Sequence, residues 1–183
     1  MKMNAWKRFF GHLRTVSRHR HKVIAHCARA GILLQGLAHD LSKYSPEEFW
    51  PGVRFFDGTR SPTEDERREL GYSRAWMHHK GRNRHHWEYW TDYDVQAQRY
   101  VAMPMPQRYL AEMLCDRMAA SKIYKGAAYT DASPLEYLMH GKMRDSMNPQ
   151  TQAVLERFLT QLRDEGEAAM FAALRRWVRG AQG

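Results

Sequence analysis

Apolar side chains recur at helical spacing over most of this chain, and few runs are rich enough in Val, Ile or Thr to read as strands. From Trp6 to Ala30, the positions Phe9, Leu13, Val16, Val23, Ile24 and Cys27 mark one face of a long amphipathic helix, which Gly31 is placed to end. A second helix is expected over about Leu33 to Lys43. Ser45-Pro46-Glu47-Glu48 then reads as a new start, with Ser as N-cap, Pro at the first helical position and acids in the first turn. Asp57-Gly58-Thr59-Arg60-Ser61-Pro62 is a polar loop and the best candidate for a flexible element. A helix from about Thr63 to Lys80 should follow, with Gly81 to Arg84 turning the chain into a segment from His85 to Tyr93. Pro104 and Pro106 separate this from a long helix over Gln107 to Lys125. Stretches Ser133 to Arg144, Asn148 to Glu165 and Glu167 to Arg179 carry Leu, Phe and Trp stripes of the kind that form a core. The expected fold is an all-α, single-domain helical bundle over residues 1–183, without repeats, low-complexity segments or linkers.

Composition narrows this picture. A chain of 183 residues suits one domain with a single core, and 43% hydrophobic with 27% charged residues is a globular balance that excludes a disordered tail. No run approaches the roughly 18 apolar residues a membrane span needs. Met1 to Phe10 has basic residues but no apolar h-region or small-residue cleavage site, which points away from secretion. Cys27 and Cys115 are far apart and outside any Cys-x-x-Cys pair, as expected of buried thiols in a reducing cytoplasm. The formal charge of +9 is uneven: eight Lys or Arg residues precede position 39, and no Asp or Glu precedes Asp40. That makes the first helix a positive surface, expected to attract phosphate-bearing partners near the site.

The candidate chemistry centres on His39-Asp40, inside Gly36-Leu-Ala-His-Asp-Leu-Ser-Lys43, where an imidazole beside a carboxylate can give one metal cluster two ligands. Upstream lie His19, His21 and His26; downstream come His78-His79, His85-His86 and Asp116. Imidazole and carboxylate together suit Mn, Fe, Co, Ni or Zn, whereas Mg and Ca prefer all-oxygen sites. Seven or more ligands exceed what one ion uses, so two ions roughly 3.5 to 4 Å apart are expected. His19 and His26 are seven residues apart and share a helical face that His21 does not, so either suits as first ligand. Neighbouring helical residues point about 100° apart, so His78-His79 and His85-His86 need an irregular backbone, which Gly81 and Asn83 can supply. Asp116 on an apolar face is costly unless paired or metal-bound.

The order His, His-Asp, His, His-His, Asp on successive helices resembles the HD superfamily of metal-dependent phosphohydrolases. More closely, His19 to Trp90 is similar to an uncharacterised, largely bacterial and phage family of HD-like proteins, in its stretches His39 to Phe49 and His78 to Trp90. The resemblance covers roughly residues 15 to 125 and implies an HD-like bundle around a metal cluster, with residues beyond about 133 as packing helices. It implies His19 as first ligand through the spacing His19-x-x-x-Val23, with His39, Asp40, His79, His85, His86 and Asp116 completing the set. It leaves His78 as a group orienting a ligand or touching substrate.

Lys43, one turn after His39, is placed to reach a metal-bound phosphate, making His39, Asp40 and Lys43 the catalytic candidates. Arg82, Asn83 and Arg84 offer further hydrogen bonds to substrate. Trp87, Tyr89 and Trp90 fit core packing better than base stacking, and Glu88 is a candidate to orient an imidazole. The expected activity is hydrolysis of a nucleotide or other small phosphate ester by metal-bound hydroxide. The alternatives are a di-iron oxygenase with the same ligands, or a basic nucleic-acid-binding protein with a degenerate site.

Overall fold

Helix α1 (Ala5–Ala30) starts where the Asn4 side chain accepts a hydrogen bond from the Lys7 amide at 2.8 Å, and it stops at Gly31, whose φ of 83° few other residues adopt. The computed structural model describes residues 3–141 and 145–180. The buried face of α1 carries His12, Val16, Val23, His26, Cys27 and Ala30. α2 (Leu33–Ala38) folds back against it at Gly36, where a Cβ would meet the Cys27 Cβ at 2.5 Å. Only glycine permits that approach.

The second helix ends at Ala38 rather than continuing to Lys43. His39 turns extended (φ −55°, ψ 130°), Asp40 takes the left-handed conformation (φ 54°), and a 3-10 turn covers Leu41–Tyr44. An Asp in that region is tolerated because its short side chain clashes little, and such strain of order 1–3 kcal/mol gathers at functional sites. The break removes the 100° divergence that a continuous helix would impose on His39 and Asp40.

α3 (Pro46–Arg54) begins with Ser45 in the N-cap position and Pro46 behind it. The helix expected over Thr63 to Lys80 is two, α4 (Pro62–Leu70) and α5 (Arg74–Lys80), because Gly71 closes the first in a left-handed conformation and Ser73 caps the second by accepting from the Trp76 amide. The fold is mostly helical but not all-α. An antiparallel hairpin pairs β1 (Thr91–Asp94) with β2 (Arg99–Ala102), with Thr91 opposite Ala102 and Tyr93 packed on Tyr100. Its strands are four residues long and largely exposed, so they carry no apolar alternation from which to read them.

α6 (Gln107–Lys125) matches its expected limits. α7 (Ser133–His140) stops short of the expected Arg144, and residues 142–144 lie outside those described. α8 (Pro149–Gly180) is interrupted at Gly166 (φ 80°, ψ 174°), which divides it where two helices were expected. On α6, Leu110, Leu114 and Met118 join Val23 and Cys27 of α1 and Leu155, Phe158, Leu162, Met170 and Leu174 of α8 in one buried cluster. Each such large side chain contributes about 1.5–3 kcal/mol by burial, so α6 and α8 anchor the core and hold α1 against it. Glu112 and Asp116, one turn apart, occupy another face of α6. Among the described residues no helix is long and apolar enough to cross a membrane.

Candidate metal centre

Asp40 is 1% exposed and divides the cluster between its two carboxylate oxygens. Its Oδ2 lies 3.3 Å from His39 Nε2 and 3.8 Å from His19 Nε2, and Asp116 Oδ1 lies 2.9 Å from the same His19 nitrogen. Its Oδ1 lies 3.4 Å from His79 Nε2 and 3.5 Å from His85 Nε2, while His86 Nε2 stands 2.8 Å from His79 Nε2. Two groups of donor atoms result, His19-His39-Asp40-Asp116 and Asp40-His79-His85-His86, each with its atoms within 4.8 Å of one another and able to hold a metal ion. His39 Nε2, His85 Nε2 and Asp40 Oδ1 are buried and have no hydrogen-bond partner in the protein. Groups buried in that way are costly unless something else satisfies them, and all three face the interior of the cluster.

The opposite edges of the imidazoles are held by two glutamates, Glu48 and Glu112, that are not among the site residues expected from the sequence. Glu112 accepts from His39 Nδ1 at 2.8 Å and lies 3.2 Å from His85 Nδ1; Gln35 also donates to it. Glu48 accepts from His79 Nδ1 and from His78 Nδ1, both at 2.7 Å. With Nδ1 donating, His39, His79 and His85 can each offer the Nε2 lone pair that a metal needs. A third possible grouping, His39-His85-Glu112, is this hydrogen-bonded back of the cluster. The spacing Glu48-x-x-x-Gly52 carries no signal for its role, but Glu112, four residues before Asp116, shares a helical face with an assigned ligand and was legible in principle.

Electrostatics follow from this packing. Burial alone would raise Asp40 and Asp116, but His39, Lys43 and His79 around the first, and His19 and His39 around the second, hold both well below the usual carboxylate range. Glu112 is similarly brought down to about 2, burial being outweighed by its bonds to His39 and His85. Burial lowers His86, helped by the neighbouring His85 and His79, so it stays neutral and ligand-ready. Lys43 Nζ lies 3.4 Å from Asp40 Oδ2; burial opposes its charge, but the Asp40 and Asp116 carboxylates raise its pKa.

Other expected site residues fall elsewhere. His26 Nδ1 donates to the Cys115 carbonyl (3.1 Å), the ring packs on Phe171, and burial pushes its pKa down to about 4, so it belongs to the core. His21 is exposed. His78 touches Glu48 and stays outside the cavity described below. Asn83 donates to Ser42 Oγ and to the His79 carbonyl, both at 2.8 Å, which fixes the turn carrying the ligands; it is a brace, not a substrate contact. Arg82 is exposed on that turn, and Arg84 donates to the Tyr109 hydroxyl and lies over the Tyr89 and Tyr109 rings; neither lines the cavity. Glu88 does line it, but the carboxylates that orient imidazoles are Glu48 and Glu112.

A cavity of about 420 Å³ opens onto the cluster, within the usual range for small-molecule sites. His19, Asp40, His79, His86 and Asp116 reach its wall, with Lys43 beside them and Trp76, Trp87, Tyr124 and Tyr137 among the larger surfaces. From α1 it receives His12, Thr15, Val16 and His19, none of them Lys or Arg. The exposed cations Arg14 and Arg18 of that helix lie on another face.

Fold and site together define a mostly helical protein with a buried His/Asp/Glu cluster that can hold metal. The chain belongs to DUF5662, a family of unknown function, whose model matches residues 8–161. No curated protein and no solved structure matches it.

Proposed function

We propose that the chain is an HD-type hydrolase of small phosphate esters, with two transition-metal ions held on either side of Asp40. The observation that carries this reading is the Asp40 carboxylate, with one oxygen toward His19, His39 and Asp116 and the other toward His79 and His85, surrounded by buried nitrogens that lack protein partners. Divalent ions bound there would supply Lewis acidity and a hydroxide nucleophile at neutral pH.

The protein's own groups do the rest. Glu112 and Glu48 hold His39, His85 and His79 in the ligand tautomer. Trp76 packs its ring 4.7 Å from His86 and 5.6 Å from His79, which limits how far either can swing. Lys43 presents an ammonium at the cavity wall next to Asp40, where it can pair with a phosphate oxygen. The apolar walls favour a substrate with an organic body over inorganic phosphate alone, and the enclosed volume favours a nucleotide-sized molecule over a polymer.

The experiment is anaerobic reconstitution of apo-protein with Mn, followed by phosphate release from a panel of nucleotides and phosphodiesters. Turnover is expected, with Asp116→Asn slower by roughly 100-fold or more, since even groups one step removed from a metal are worth about 10–100-fold. Activity restored only by iron and only in air would replace this reading with an oxygenase on the same ligands.

A further inference from the structure

One stripe of positive charge lies away from the metal cluster. Lys7, Arg14, Arg18 and His21 lie along the exposed face of α1, with Lys22 and Arg29 at its edge, and the helix contains no Asp or Glu. From Lys7 to Arg29 this stripe runs about 33 Å at 1.5 Å per residue. At its C-terminal end it meets a second group of cations. Arg29, Arg175, Arg176 and Arg179 border a cleft of about 380 Å³ floored by Phe171 and Ala172, and the Arg175 side chain lies against Gly31. Glu167 is bonded to both Arg29 and Lys122. Among the described residues Lys7, Arg14, Arg18, Arg175, Arg176 and Arg179 make no ion pair.

We propose that this exposed face of α1, continued by the arginine cleft, binds the phosphate backbone of a nucleic acid. A row of cations about one duplex turn long, in which Arg29 at the end is paired with Glu167 and, among the described residues, Lys7, Arg14 and Arg18 make no ion pair, complements a polymer that carries one negative charge per roughly 1.7 Å. Arginine forks suit phosphate oxygens. An anionic membrane is the weaker fit, because a helix lying in a bilayer interface presents apolar residues along its length. Here Val16, Val23 and Cys27 face the core, and the exposed large apolar residues of α1, Trp6 and Phe10, sit at one end. Those two stacked rings offer a surface for an unpaired base next to the stripe. This surface does not depend on the metal reading, since the ligand-bearing face of α1 is a different one.

The test measures binding of the full chain to a short labelled DNA, duplex and single-stranded, by fluorescence anisotropy across a salt series. Affinity should fall steeply with salt. The pairs Arg14→Gln with Arg18→Gln, and Arg175→Gln with Arg179→Gln, should each flatten the log–log slope by about 0.9 per arginine on duplex and about 0.7 on single strand. A control pair, Arg82→Gln with Arg99→Gln, removes the same charge elsewhere and should leave the slope unchanged. Circular dichroism melting checks that the variants fold. The proposal is overturned if the stripe and cleft pairs behave like the control, if neither DNA binds, or if the chain binds vesicles of phosphatidylserine and phosphatidylcholine and ignores DNA.

Discussion

The two sets of donors around Asp40 are alike in chemistry and unlike in what holds them. His19 and Asp116 stand on α1 and α6, whose other faces are buried in the apolar cluster with α8, and their positions follow from helix packing. His79, His85 and His86 come from the last turn of a seven-residue helix and the turn after it, held by Glu48, by Asn83 bridging Ser42 and the His79 carbonyl, and by the Trp76 ring. In the first half His19 and Asp116 are placed by dispersion and burial, which no single polar substitution removes, and only His39 leans on a hydrogen bond, to Glu112. The second rests on a few hydrogen bonds, each of which one substitution can delete. Equal numbers of ligands therefore imply unequal robustness.

The largest expected effect comes from the residue both halves share. Asp40→Ala should bring bound metal close to zero and abolish the stabilisation metal gives, about 2.7 kcal/mol when the free ion stands at 100 times its Kd. Elemental analysis and calorimetry with and without chelator measure both effects, and Asp40→Asn separates ligation from backbone strain because Asn also tolerates the left-handed region. Next come the orienting glutamates. Glu112 holds one imidazole of each half, so Glu112→Gln should weaken both ions by about 10–100-fold, whereas Glu48→Gln should weaken only the ion of the second half. Competition against a chelator resolves the two constants, and identical profiles for the two variants would erase the distinction between the halves.

A smaller effect belongs to the core side of α1. Burial lowers His26 from 6.5 to about 4, so between those values the unfolded chain binds the proton that the folded chain refuses. Stability is therefore fully present above about pH 6.5 and is lost as pH falls toward 4, by up to about 1.4 kcal/mol per unit. Urea titrations should show a flatter acid limb for His26→Leu than for the unsubstituted chain; parallel limbs would contradict the burial argument. The smallest effect is expected at Arg82, where Arg82→Ala should leave metal content unaltered and stability within about 0.5 kcal/mol. Loss of metal there would return the turn's arginine to the site.

What was legible in the sequence divides along the same line. Regular helices announce themselves through periodicity, so α1, α6 and the break at Gly166 fell where the apolar spacing and the glycines put them. The second half of the site depends on backbone breaks that periodicity does not encode. The left-handed Asp40, the α4–α5 interruption at Gly71 and the hairpin after Trp90 are each settled by local capping or by contacts with distant residues. Histidine and aspartate drew attention because their chemistry is distinctive. Glu48 and Glu112 did not, because a glutamate on a helix is ordinarily a solvated charge, and only burial beside an imidazole marks them out. The basic first helix was visible as charge, but its direction was not: its exposed cations Arg14 and Arg18 stand on a different face from the one that lines the cavity.

The most direct test of the carboxylate-centred pair is titration of apo-protein with Mn, followed by electron paramagnetic resonance of the loaded sample. Two ions per chain with the signal of an exchange-coupled pair is the predicted result; one ion per chain, or two that behave as isolated centres, would contradict it.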